Sequence, residues 1–235
     1  NSFKIIKIMS EISDQFPGIT FFSGEYDKFS KIVYNYQIVE ENLSNITSLV
    51  IKTNNKIKAL SHILEFFPNL HTIKIHKSNK VIDLRFLSEL KHLKKIWIEE
   101  TKSQKDWEFL KGMSLEDVTL YDESNVLVNS LPITVKKLSL YGSFDFFYLT
   151  NLKNLNELLV DNSAGNPLLK EVKDLSDEYD LPKLPPSLTR LAIRGSCKLK
   201  SVKCLENLND ECKIYVPGKG CEGLEIPERM TNVSR

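Results

Sequence analysis

The sequence predicts an α/β solenoid: a repeat arc with a parallel concave β-sheet, a mixed helical and extended convex side, and a cap at each end. Three observations predict it. A nine-residue frame, apolar at positions 1, 4 and 6 and usually small and polar at position 9, recurs from residue 46 to about residue 217, most clearly as Leu188-Thr-Arg-Leu191-Ala-Ile193-Arg-Gly-Ser196. Alternation across positions 3 to 7 is the period of a strand, so positions 4 and 6 point inward and 3, 5 and 7 outward. A single unit cannot bury its own apolar face, whereas stacked neighbours can.

The units follow one another along the chain. Ile46, Leu49 and Ile51 open the series, with Asn54 in the ninth place, followed by Leu70, Ile73 and Ile75 with Ser78. Leu93, Ile96 and Ile98 come with Thr101, Leu115, Val118 and Leu120 with Glu123, and Val135, Leu138 and Leu140 with Ser143. Leu155, Leu158 and Val160 come with Ser163, Leu188, Leu191 and Ile193 with Ser196, and a degenerate unit reads Asn209, Cys212, Ile214 and Pro217. The steps between first positions are 24, 23, 22, 20, 20, 33 and 21 residues.

This pattern resembles L-x-x-L-x-L-x-x-N, the strand half of a leucine-rich repeat, over roughly 170 of the 235 residues. Six of the seven steps fall within that family's range of about 20–29 residues. The resemblance implies that a side-chain ladder at position 9 bonds the turn after each strand. Ser and Thr reach less far than the family's Asn, and Glu123 and Pro217 depart from it, so the ladder is expected to be weakest there. Leu181-Pro-Lys-Leu-Pro-Pro-Ser-Leu-Thr-Arg-Leu191 resembles the short Pro-rich repeats of bacterial effectors, and the earlier helical units look more like the phosphatase-regulator and internalin classes.

The segments between strands differ along the chain. Residues 59–67, 84–90 and 106–112 have helical spacing, with Asp106 as an N-cap and Gly112 as a stop. Leu131-Pro132 and Leu184-Pro185-Pro186 disfavour helix, so extended or turn-like segments are expected there. A wider helical side predicts stronger curvature over the N-terminal half. Residues 1–45 read as an N-terminal cap: Phe3, Ile6, Met9 or Ile12 and Phe16 share one helical face, Pro17-Gly18 ends it, and Ile19–Phe22 and Lys31–Tyr34 suggest a degenerate first repeat. Residues 46–217 hold the repeats, with an insertion near 164–180, and 218–235 read as a frayed tail.

Composition narrows the function. The net charge is +1 and the lysines are spread among acids, so there is no basic stripe for nucleic acid. No apolar run reaches the 18 or so residues of a membrane span. Phosphate-binding, zinc-protease and serine-hydrolase motifs are absent. A triad would need a nucleophile and an orienting acid beside one of the histidines, 62, 71, 76 and 92. Ser48 and Thr72 lie near in the layout, but Ser and Thr are the default residues of such a sheet. No catalytic residue, cofactor or metal is expected. Cys197, Cys204, Cys212 and Cys221 admit free thiols, disulfides or a metal site, with no C-x-x-C pair to favour metal.

The expectation is therefore a monomeric, cytoplasmic, non-enzymatic module that binds another protein on its concave face. An extracellular adhesin or glycan binder, secreted or at the cell surface, and a recognition domain cut from a larger ubiquitin-ligase- or phosphatase-associated protein are the alternatives. Aromatic and charged residues at outward positions mark the candidate site: Lys74, His76, Trp97, Glu99, Tyr121, Tyr141, Asp161, Arg190 and Arg194. Binding hot spots favour Trp, Tyr and Arg. Against this reading, aromatics suit strands in any case, and Trp97 can lie beneath a neighbouring side chain.

Overall fold

A computed structural model describes residues 19–22, 47–52, 68–76, 84–99, 106–121, 128–142, 148–161, 184–194, 205–216 and 228–234. The helix expected at 3–16, the segments 31–34 and 59–67, the insertion at 164–180 and every ninth-position residue lie outside them, as do Cys197, Cys204 and Cys221. The chain divides into two compact units. Asn1–Leu115 with Glu123–Asn125 make the first, and Glu116–Asp122 with Val126–Arg235 the second.

The first unit contains β1 (Ile19–Phe22), β2 (Ser48–Lys52), β3 (Thr72–His76) and β4 (Lys95–Ile98). β2, β3 and β4 are parallel neighbours, with Leu49, Ile73 and Ile96 in register. β1 is an edge strand and runs antiparallel to β2, so it is not a first repeat in phase with the others. The second unit contains β5 (Asp117–Tyr121), β6 (Lys137–Tyr141), β7 (Glu157–Asp161), β8 (Arg190–Arg194), β9 (Lys213–Tyr215) and β10 (Val233–Ser234). These strands are parallel in chain order. This layout agrees with the repeat frame. Positions 4 and 6 are buried throughout, from Ile73 and Ile75 to Leu191 and Ile193, at 2% exposure or less. Each such side chain contributes about 1.5–3 kcal/mol by leaving water.

The return segments correct the helical expectation. Where 84–90 and 106–112 were expected as helices on the convex side, the chain forms single 3-10 turns, Arg85–Glu89 and Glu108–Gly112. The reason is a period of three. Leu84, Leu87, Leu90 and Leu93 are all buried, and each of the last three donates its N–H to the carbonyl three residues earlier, at 3.0–3.1 Å. An α-helix advances 100° per residue, so Leu84 and Leu93 would face opposite sides. At three residues per turn all four align. Leu149, Leu152 and Leu155 repeat this in the second unit, again fully buried, with N–H bonds from Leu152 to Leu149 and from Leu155 to Leu152 at 2.9–3.0 Å around the 3-10 turn Leu149–Asn151. The Pro-containing segments are turn-like. Val135 donates to Pro132 at 3.2 Å, and Leu188 to Pro185 at 3.1 Å. Asp106 stands one place before the helix-flanking Trp107, and its carboxylate accepts the Glu108 N–H at 3.0 Å.

A shared carbonyl marks the entry to β3, β4, β6, β7 and β8. The position-2 carbonyl of one repeat accepts N–H groups from positions 2 and 3 of the next: His71 from Lys94 and Lys95, Glu116 from Lys136 and Lys137, Asn156 from Thr189 and Arg190. The carbonyl of Thr189 accepts from Lys213, and the strand register, which pairs Arg190 with Lys213, Leu191 with Ile214 and Ala192 with Tyr215, makes Lys213 a position-3 residue. The expected frame, with Cys212 at position 4 and Glu211 beside Arg190, is therefore displaced by two residues, and Ile214 and Val216 fill positions 4 and 6. Cys212, Ile214 and Val216 are all buried, so alternation alone fits both frames. The tail is not simply a frayed end. β10 pairs with β9, Met230 is buried, and the Arg229 guanidinium donates to the carbonyls of Leu205, Glu206 and Leu208 and meets the Asp210 carboxylate.

Candidate functional site

In the first unit three candidate residues, Lys74, Trp97 and Glu99, form one cluster. Lys74 and Trp97 are both at position 5 and are paired in register on β3 and β4. The Lys74 Nζ lies 3.3 Å from the centroid of the Trp97 ring and 3.7 Å from a Glu99 carboxylate oxygen. Trp97 is half-buried and Lys74 is 8% exposed. A cation over an indole face, with an acid beside it, is a mutually satisfied arrangement. Lys74 thus covers part of the ring that the sequence places at the surface. His76 ends β3, in register with Lys52.

In the second unit the position-7 residues Tyr121, Tyr141, Asp161 and Arg194 lie side by side on four successive strands. The Tyr121 and Tyr141 rings stack at 4.7 Å between centroids with 11° between planes. Both are half-buried. Next to them Asp161 is 8% exposed, and Arg194 is exposed. Position 5 holds the smaller Thr119, Ser139, Leu159 and Ala192. Position 3 is a charged row, in which the Glu157 carboxylate meets Lys137 at 3.0 Å and Arg190 at 3.5 Å.

Burial, with the Asp161 carboxylate in support and Arg194 opposing, raises the Tyr141 phenol above its ordinary value near 10. The folded state therefore holds this proton more tightly than the unfolded chain. Tyr141 contributes stability that is fully present below pH about 10 and is lost as pH rises through the folded value. A phenolate absorbance titration, taken as the difference between wild type and Tyr141→Phe, should show the missing tyrosine ionising above pH 10. Ionisation below pH 10 would refute the shift.

Two outward residues of this face, Lys213 and Tyr215, stand at other positions than the expected frame gives them. The register displacement brings Lys213 beside Arg190 and moves Tyr215 from position 7 to position 5, beside Ala192. Tyr215 is 42% exposed, and the Arg194 guanidinium carbon lies 5.8 Å from its ring centroid. The available signal was the Asn209-Asp210 turn, in which Asn209 Oδ1 accepts the Glu211 N–H and so delays the strand. Elsewhere, His71 and His92 stack at 6.0 Å, and the His71 Nδ1 is 2.7 Å from the Asn69 carbonyl. Among the described residues no group of three or more His, Cys, Asp or Glu is placed to hold a metal ion, and no helix is long and apolar enough to cross a membrane. Cys212 is a buried free thiol whose pKa is raised by that burial.

No family model matches the sequence, and no curated protein matches it. Among solved structures, the chain is similar to an internalin C2 from Listeria monocytogenes str. 4b F2365. The identity is 19% and the TM-score 0.39, over 77% of this chain and 84% of that one.

Proposed function

We propose that this chain is a non-enzymatic protein-binding module of leucine-rich-repeat type, whose partner lies against the outward face of its strands. One observation carries the reading: two tyrosine rings stack on that face, at positions where the repeat makes no demand for apolar area. Tyrosine offers a large, rigid contact surface with a polar tip, which is why it is enriched at interfaces. Trp97 is a secondary contact, because Lys74 already occupies part of its ring.

The test is a pull-down from the native source with wild type and with the Tyr121→Ala, Tyr141→Ala double variant. Loss of a captured protein in the variant, at a cost of about 2 kcal/mol or more in affinity, supports the reading. Full retention by a folded double variant places the site away from this face. Trp97→Ala should have the smaller effect.

A further inference from the structure

We propose that β8 and β9 form a docking site for an acidic segment of the partner protein, built by Arg190, Arg194, Lys213 and Tyr215. This deepens the protein-binding reading above and rests on it. The register carries the inference. With Glu211 beside Arg190, an acid would neutralise the end of the position-3 row. The observed pairing puts Lys213 there instead. That row then reads Lys137, Glu157, Arg190 and Lys213 on four successive strands, three cations to one carboxylate. The carboxylate is already shared between Lys137 and Arg190.

On β8 and β9 the outward positions hold three cations, one aromatic ring and Ala192, with no acid. The Arg190 side chain is 67% exposed, and Arg194, Lys213 and Tyr215 are exposed. Among the described residues, the acids beside these strands are Glu157 and Asp161 on β7, in register with Arg190 and Arg194, and Glu211, two residues before β9, while Asp210 meets Arg229.

The dimensions suit a short extended segment. Same-face residues on a strand are about 6.7 Å apart and neighbouring strands about 4.8 Å. Arg190 and Arg194 thus span about 13 Å, the reach of carboxylates four residues apart on an extended peptide. Arginine binds carboxylate bidentately. Ala192 leaves the floor between the arginines low, and the Tyr215 ring offers an apolar side chain a face to pack on. A phosphate backbone would need a longer track, and this one ends after two strands at Glu157 and Asp161.

The experiment is fluorescence anisotropy on the full chain, with a labelled decapeptide of alternating glutamate and alanine. A lysine–alanine decapeptide and decathymidylate serve as comparisons. The glutamate peptide should bind best, and more weakly as salt rises. The Arg190→Glu, Lys213→Glu variant should bind it at least about tenfold more weakly and turn its preference to the lysine peptide. Arg190→Gln, Lys213→Gln should lie between, which keeps the test open if the full reversal misfolds. Unchanged affinity in the charge variants, or no binding of the glutamate peptide, overturns the proposal. Tighter binding of decathymidylate does so too, by giving the patch to phosphate.

The two readings fail separately. A native partner that needs Tyr121 and Tyr141 but ignores the charge reversal removes only the acidic dock. A partner indifferent to both sets of changes removes the outward face altogether.

Discussion

Replacing Trp107 with alanine is expected to lower stability by about 3–5 kcal/mol, the cost of deleting a large aromatic side chain from a packed core. Trp107 is 2% exposed and is among the largest fully buried side chains described in this protein. It begins the buried triplet Trp107, Leu110 and Met113, each linked to the next by an i→i+3 backbone hydrogen bond at 3.0 Å, and its ring lies 5.9 Å from that of Phe109. Its indole Nε1 is buried and has no hydrogen-bond partner among the described residues. A buried, unsatisfied donor costs about 1–3 kcal/mol. Trp107→Phe therefore gives up packing volume but removes that penalty, and it should cost less than half as much as the alanine change. Urea unfolding followed by circular dichroism checks both, read as midpoint shifts at unchanged slope. An alanine variant within about 1 kcal/mol of wild type would mean that the site collapses freely around the loss. A phenylalanine variant as damaging as alanine would mean that the indole N–H is satisfied by a group outside the described residues.

Strand positions were legible because a strand in this stack has a strict requirement. Positions 4 and 6 face a dry interior and 3, 5 and 7 do not, so the frame from Leu70 to Ile193 could be read without a register error. It failed at β9, where Cys212, Ile214 and Val216 are three alternate buried residues and the pairing with β8 chooses between frames. The face itself was legible as columns. What covers what was not. That Lys74 folds over Trp97 while Tyr121 and Tyr141 stack depends on side-chain rotamers and charge, which spacing does not encode. The same limit explains β10. Met230 and Val233 repeat the spacing of positions 1 and 4, but two apolar residues in a polar tail are too few to establish a period.

The return segments were misread for a different reason, and one pair of substitutions tests the correction. In an α-helix starting at Leu84, Leu87 and Ser88 would lie three and four residues on and share its buried face. With three residues per turn, Leu87 points inward and Ser88 outward. Leu87 is 0% exposed, whereas Ser88 is exposed and its hydroxyl donates to the Arg85 carbonyl at 2.7 Å. Leu87→Asp should therefore cost more than about 4 kcal/mol, because it places an unpaired carboxylate where Leu84, Leu90 and Leu93 exclude water. Ser88→Asp should stay within about 0.5 kcal/mol of wild type, as surface changes do. The two positions are adjacent and the introduced group is the same, so propensity and net charge largely cancel and the difference reports orientation alone. Urea midpoints of the two variants decide it. Comparable losses at both sites would restore a helical face that includes Ser88. A large loss at Leu87 alone requires the three-residue turn, and with it a return path that lines up Leu84, Leu87, Leu90 and Leu93 behind β4.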